Sequence, residues 1–126
     1  MNGWIGVDLD GTLAFYDHWR GAGHIGEPIP AMVQRVKQWL AEGKTVKIFT
    51  ARVWAPTFNP SSPDDEQAEQ VRRIQEALTA RSAIEAWCEK HIGQVLEVTN
   101  VKDYGMLTLY DDRAVQVIAN TGQPVT

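Results

Sequence analysis

Trp4-Ile5-Gly6-Val7-Asp8-Leu9-Asp10-Gly11-Thr12-Leu13-Ala14 constrains this chain more than any other stretch. An apolar run from Trp4 to Val7 leads into two aspartates one residue apart, and Gly-Thr breaks it just beyond. A short apolar run rich in β-branched residues and closed by glycine reads as a strand buried on both faces. Side chains alternate along a strand, so Asp8 and Asp10 are expected on the same side where it ends. Gly11 then permits a sharp turn. Two carboxylates converging there repel each other and lose solvation, and a divalent cation is the usual remedy. The plainer alternative is a strand followed by an ordinary Asp-Gly turn. A helix-loop-helix calcium loop does not fit: Thr12 and Ala14 interrupt its alternate acidic positions, and no Glu follows at the twelfth.

Residues 14–30, rich in glycine, proline and histidine, read as a loop or small flap. Apolar residues at 32, 33, 36, 39 and 40 mark one face of a helix over Ala31–Leu40, with Gly43 as its stop. Thr45–Thr50 reads as a strand parallel to the first. Ser62-Pro63-Asp64-Asp65-Glu66 looks like a helix start, with Ser62 as cap and Pro63 in first position. Val71, Ile74 and Leu78 give that helix an apolar stripe that loses phase before Ile84. Ser82-x-x-Glu85 resembles a new capping box, so a kink or a break is expected near 79–82. Strands at 95–99, 107–110 and 114–118 follow. The alternation predicts a three-layer open parallel sheet of about five strands, with helices on both faces. Ligands of such sheets lie beyond the carboxyl ends of the strands.

At 126 residues the chain is expected to form a single domain over 1–126, with no room for a full cap domain within its flap. A net charge of −4 argues against binding long nucleic acid, which needs a basic surface, though not against a small phosphorylated substrate. The lone Cys88 permits no internal disulfide, no run is long and apolar enough for a membrane span, and Asp8, Asp10 and Asp17 occupy a region that a signal peptide would keep apolar. A cytoplasmic location without membrane attachment is the expectation. Trp39 and Trp87 lie on helical apolar stripes and are expected in the core.

Three further places carry chemistry. Thr50 closes the second strand, where its hydroxyl could donate to a phosphate oxygen. Leu107–Arg113 repeats the opening pattern, a strand ending in the adjacent acids Asp111 and Asp112. Asp111, first past the strand, is the expected direct metal ligand. Alternation turns Asp112 the other way, to act through a coordinated water or hold the loop. Lys102 lies nine residues before Asp111, with Lys90 as its rival. Trp19 and Arg20 in the flap read either as a substrate lid or as ordinary loop residues. Arg52 and Arg113 flank the proposed site and could pair with phosphate or with neighbouring acids.

Asp8-x-Asp10-Gly11-Thr12-Leu13, then Thr50, Lys102 and the Asp111–Asp112 pair, resemble in order the four motifs of the haloacid dehalogenase-like (HAD) superfamily. The resemblance implies a Rossmannoid fold and a small, minimally capped phosphatase. Asp8 would be the nucleophile, forming an aspartyl-phosphate. Mg²⁺ would be held by Asp8, Asp111 and the main-chain carbonyl of Asp10. Asp10 would act as general acid and base, and Thr50 and Lys102 would hold the phosphoryl charge. Asp10 also separates phosphatases and phosphotransferases from superfamily members that lack this second acid. The implied substrate is a small phosphorylated metabolite or nucleotide; a nucleic-acid end and a catalytically silent phosphate- or metal-binding module are the alternatives. A homo-oligomer in which a neighbouring subunit closes the short-flapped site is compatible with the sequence.

Overall fold

The computed structural model describes residues 3–125. Four strands form one parallel sheet: β1 (Trp4–Asp8), β2 (Thr45–Phe49), β3 (Glu97–Thr99) and β4 (Met106–Tyr110), in the order β3-β2-β1-β4. Helix α1 (Pro30–Ala41) links β1 to β2. A short 3-10 turn, Ala51–Val53, and helix α2 (Asp64–His91) link β2 to β3.

The register sorts the strand side chains into two faces. Val7 lies opposite Ile48 and Ile48 opposite Val98, so these three share a face, and each is essentially buried. Met32, Val33 and Val36 of α1 and Ile84, Trp87 and Cys88 of α2 pack into this one cluster. Each fully buried aliphatic side chain there contributes about 1.5–3 kcal/mol. Right-handed crossovers running in the same direction, β1 to β2 to β3, place both helices on the same side. The expectation of a three-layer sheet with helices on both faces is therefore corrected: the helices share one face. The return crossover from β3 to β4 is the six-residue segment 100–105 rather than a helix. It covers Trp4 on the opposite face, where the indole Nε1 donates to Asp103 Oδ1 at 2.8 Å.

The sheet has four strands rather than about five. Residues 114–118 do not extend it; the tail folds back on itself, Val117 bridging Pro124 and Ile118 N donating to Gln123 O at 2.8 Å. Asn120 and Gly122, both at positive φ, supply the reversal that competes with strand pairing.

The expected break near 79–82 is absent, and α2 runs unbroken for 28 residues. Its buried stripe passes through Ala77, Ala80, Ile84, Trp87 and Cys88, whereas Val71 and Leu78 are exposed. Two alanines carry the stripe across the region where larger residues fall out of phase, and Arg81 fixes it by donating to Val98 O at 2.8 Å. The helix begins one residue later than expected, with Pro63 at the cap position and three acids in the first turn. Ser62 instead accepts from Gln67 and Gln70 side chains. The α1 stop is as expected, with Gly43 at φ 81°. Among the described residues no helix is long and apolar enough to cross a membrane.

Candidate functional site

Asp8 is the last residue of β1, Thr50 follows β2 directly, and Asp111 follows β4 directly, so all three reach the same edge of the sheet. Past Asp8 the chain turns tightly on one carbonyl. The amides of Leu13 and Ala14 donate to Leu9 O at 3.0 and 2.9 Å, and the fully buried Leu9 and Leu13 anchor the turn in the core. Apolar residues interleaved with the acids thus fix the loop that presents them. Gly11 has φ 88°, and a Cβ there would lie 2.5 Å from Asp112 Oδ2. Gly11→Ala combines a strained backbone with displacement of that carboxylate. It should cost about 1–3 kcal/mol in a denaturant titration and weaken divalent-cation binding measured by calorimetry.

One oxygen from each of Asp8, Asp111 and Asp112 lies within 4.8 Å of the others. Thr12 ties the group together: its hydroxyl lies 3.2 Å from Asp8 Oδ2 and 3.3 Å from Asp112 Oδ1, and it accepts from Asp112 N at 3.0 Å. Burial, then the charge of Asp111 and the neighbouring Asp112, push the Asp8 carboxyl up from 3.8 to about 7. Three oxygen donors with poor mutual compensation suit a hard divalent cation such as Mg²⁺. Asp112 therefore does not turn away as alternation implied. Alternation holds only within a strand, and the chain leaves β4 at Tyr110 and bends, Asp111 Oδ1 accepting from Arg113 N at 2.8 Å.

The Asp10 carboxylate lies outside this acid group. Arg52 grips it through two bonds, Nε to Oδ2 and Nη2 to Oδ1, both 2.7 Å. The remaining Arg52 nitrogen donates to His24 O at 2.7 Å, and the guanidinium lies 4.8 Å from the Trp19 ring centre. Its side chain is only 6% exposed. The expected holding role of Asp10 toward a metal rests on its main-chain carbonyl, which this grip leaves to the turn.

The flap is pinned at its base by Ala14 pairing with Pro28 and by the Trp87 indole donating to Gly26 O at 3.0 Å. A Cβ at Gly26 would collide with Phe15 O, so the base closes on glycine. Toward its tip, Arg20 pairs with Asp17 and stays exposed.

A cleft of about 640 Å³ opens over the acids. Asp8, Asp10, Thr50, Arg52, Asp111, Asp112 and Trp19 all line it; Arg20 and Lys102 do not. Thr50 is buried and its oxygen accepts from Arg52 N at 3.2 Å, leaving the hydroxyl proton for a ligand. Lys102 is exposed in the 100–105 crossover. Tyr16, Trp54, Arg73 and Glu76 also line the cleft and were not singled out from the sequence. Trp54, an aromatic residue in a loop just after Thr50, carried a readable signal. Arg73 did not, because the stripe expected for α2 was out of phase. Cys88 is buried in the core, its thiol pushed up to about 11 by that burial, so no reactive thiolate arises there.

No family model matches the chain, and no curated protein matches it. A solved structure described as "Structure of the conserved protein coded by locus from Bacteroides thetaiotaomicron" superposes with a TM-score of 0.51 at 20% identity, covering 91% of this chain and 79% of that one. At that identity the likeness concerns the fold alone: the chain has an α/β architecture with a four-stranded parallel sheet.

Proposed function

We propose that this chain is a Mg²⁺-dependent phosphomonoester hydrolase of the HAD-like type, working through an aspartyl-phosphate. One observation carries the reading: the acids Asp8, Asp111 and Asp112 converge beside the hydroxyl of Thr50 in a single cleft, in the order of the superfamily's motifs.

The three carboxylates would hold Mg²⁺, whose chemistry there is to offset the repulsion between an anionic nucleophile and an anionic phosphate. An Asp8 oxygen attacks phosphorus in line, and the bond to the leaving alkoxide breaks. Asp10 donates the proton that the alkoxide takes. Water then attacks phosphorus, Asp10 accepts its proton, and phosphate leaves with Asp8 restored. The Arg52 grip orients Asp10 in the cleft. For the first half, at least one of the two bonds to Arg52 opens and Asp10 takes a proton from solvent, which it passes to the leaving alkoxide. Thr50 donates to an equatorial oxygen. Lys102, given the charge-holding role by the resemblance, would have to reach in from outside the cleft lining; Arg73 and Arg113 already line it.

Hydrolysis of p-nitrophenyl phosphate with Mg²⁺ and with excess chelator tests the proposal. Chelation should lower kcat/KM by roughly a hundredfold or more. Tight phosphate binding without turnover under both conditions would instead support a silent binding module.

A further inference from the structure

Beyond the acids, the cleft wall carries a group of aromatic side chains. Tyr16, Trp19 and Trp54 line it, and they are 44%, 53% and 52% exposed. Half-exposed indoles are costly to leave facing water, and a set of them gathered on one cleft marks a binding surface rather than scattered surface residues. Trp19 carries the Arg52 guanidinium against its ring. Trp54 follows the 3-10 turn, its amide donating to Ala51 O at 3.0 Å, which sets the ring only four residues past Thr50. The polar side chains elsewhere on this wall are Arg73, Arg113 and Glu76. A wall of flat rings and guanidinium groups beside a phosphate-handling floor matches a ligand that is planar and aromatic at one end and anionic at the other.

We infer that the substrate is a nucleobase-bearing phosphomonoester, with Trp54 and Trp19 forming the base-stacking wall. This rests on the phosphatase reading for the phosphate end; the aromatic wall supplies the rest. A free mononucleotide and the terminal nucleotide of a strand present the same chemistry.

The test separates binding from turnover. The Asp8→Asn protein in Mg²⁺ is titrated with AMP, with ribose 5-phosphate and with a short 5′-phosphorylated oligonucleotide, following tryptophan fluorescence and heat. AMP should bind at least about tenfold more tightly than ribose 5-phosphate, the loss expected for one base stack. That preference should collapse in Trp54→Ala and persist in Trp54→Phe, which keeps a ring. Trp54 is half exposed, so the alanine variant should fold, and its circular dichroism melt verifies that. Preference for the oligonucleotide over AMP assigns the strand end, and the reverse assigns the free nucleotide. Equal affinity for AMP and ribose 5-phosphate, or a base preference unchanged in Trp54→Ala, overturns the inference. These outcomes are read without catalysis. Base-selective binding with no turnover in the wild type would therefore sink the hydrolase reading and leave the stacking wall standing.

Discussion

Replacing Asp8 by asparagine should abolish the proposed phosphomonoester turnover and, without divalent cation at pH 8, should make the protein more stable than the wild type. The first effect follows from removing the nucleophile, for which the cleft holds no substitute; the loss should be at least about 10⁴-fold in kcat. The second follows from the crowding of Asp8 with Asp111 and Asp112. Burial and those charges raise the Asp8 carboxyl from 3.8 to about 7. Between those values the folded protein holds a proton that the unfolded chain has released. Stability of the metal-free wild type therefore falls as pH rises from about 4 to about 7 and stays low above it. Solvent reaching the half-buried carboxylate reduces the effect to about 1–2 kcal/mol. Asparagine carries no charge to lose, so this part of the pH dependence disappears. Urea titrations of both proteins at pH 5 and pH 8 read the difference. An equal fall with pH in the two would show that Asp8 is not the strained acid.

Cutting either side of the Arg52–Asp10 pair should cost about 2–4 kcal/mol of stability, because each change leaves a partly desolvated charge unpartnered. The guanidinium is 6% and the Asp10 side chain 22% exposed, well below an ordinary surface pair. Arg52→Met with Asp10→Asn together should cost less than the sum of the two, with a coupling of about 1.5 kcal/mol or more. Additive losses in that double-mutant cycle would reduce the pair to an incidental surface contact. Function separates the partners further. Asp10→Asn should slow alkyl phosphates by about 10²–10⁴-fold and p-nitrophenyl phosphate far less, since nitrophenolate leaves without a proton. Arg52→Met should also free the flap, because Arg52 holds the carbonyls of Ala22 and His24. Faster proteolysis within 17–24 reads that release.

The strands that position the site were legible because their signals are local. The apolar runs ending in Asp8, Phe49 and Tyr110 mark their own boundaries. Asp8, Thr50 and Asp111 could be placed at one sheet edge because a parallel sheet has only one such edge for its carboxyl ends. What depended on longer-range pairing was not legible. The side of the sheet taken by α2 follows from strand order, which one sequence does not display. The stripe of α2 was misread because alanines carry its centre. Asp112 was misplaced because strand alternation was extended into a bend, and the contacts of Arg52 with the carbonyls of Ala22 and His24 required the flap to be folded over it. The lost fifth strand turned on Asn120 and Gly122, whose reversal offers 114–118 a nearer partner than the sheet.

Thr12 and Asp112 meet although 100 residues separate them, and β1 lies between β2 and β4. Contacts that close so large a loop are slow to form and come after the local β1-α1-β2 unit. During synthesis the first strand must therefore wait, its edge open, until residues 106–110 have been made. On the proposed hydrolase reading, the site would be completed only with the docking of β4, and chains cut short of Asp111 should show no turnover.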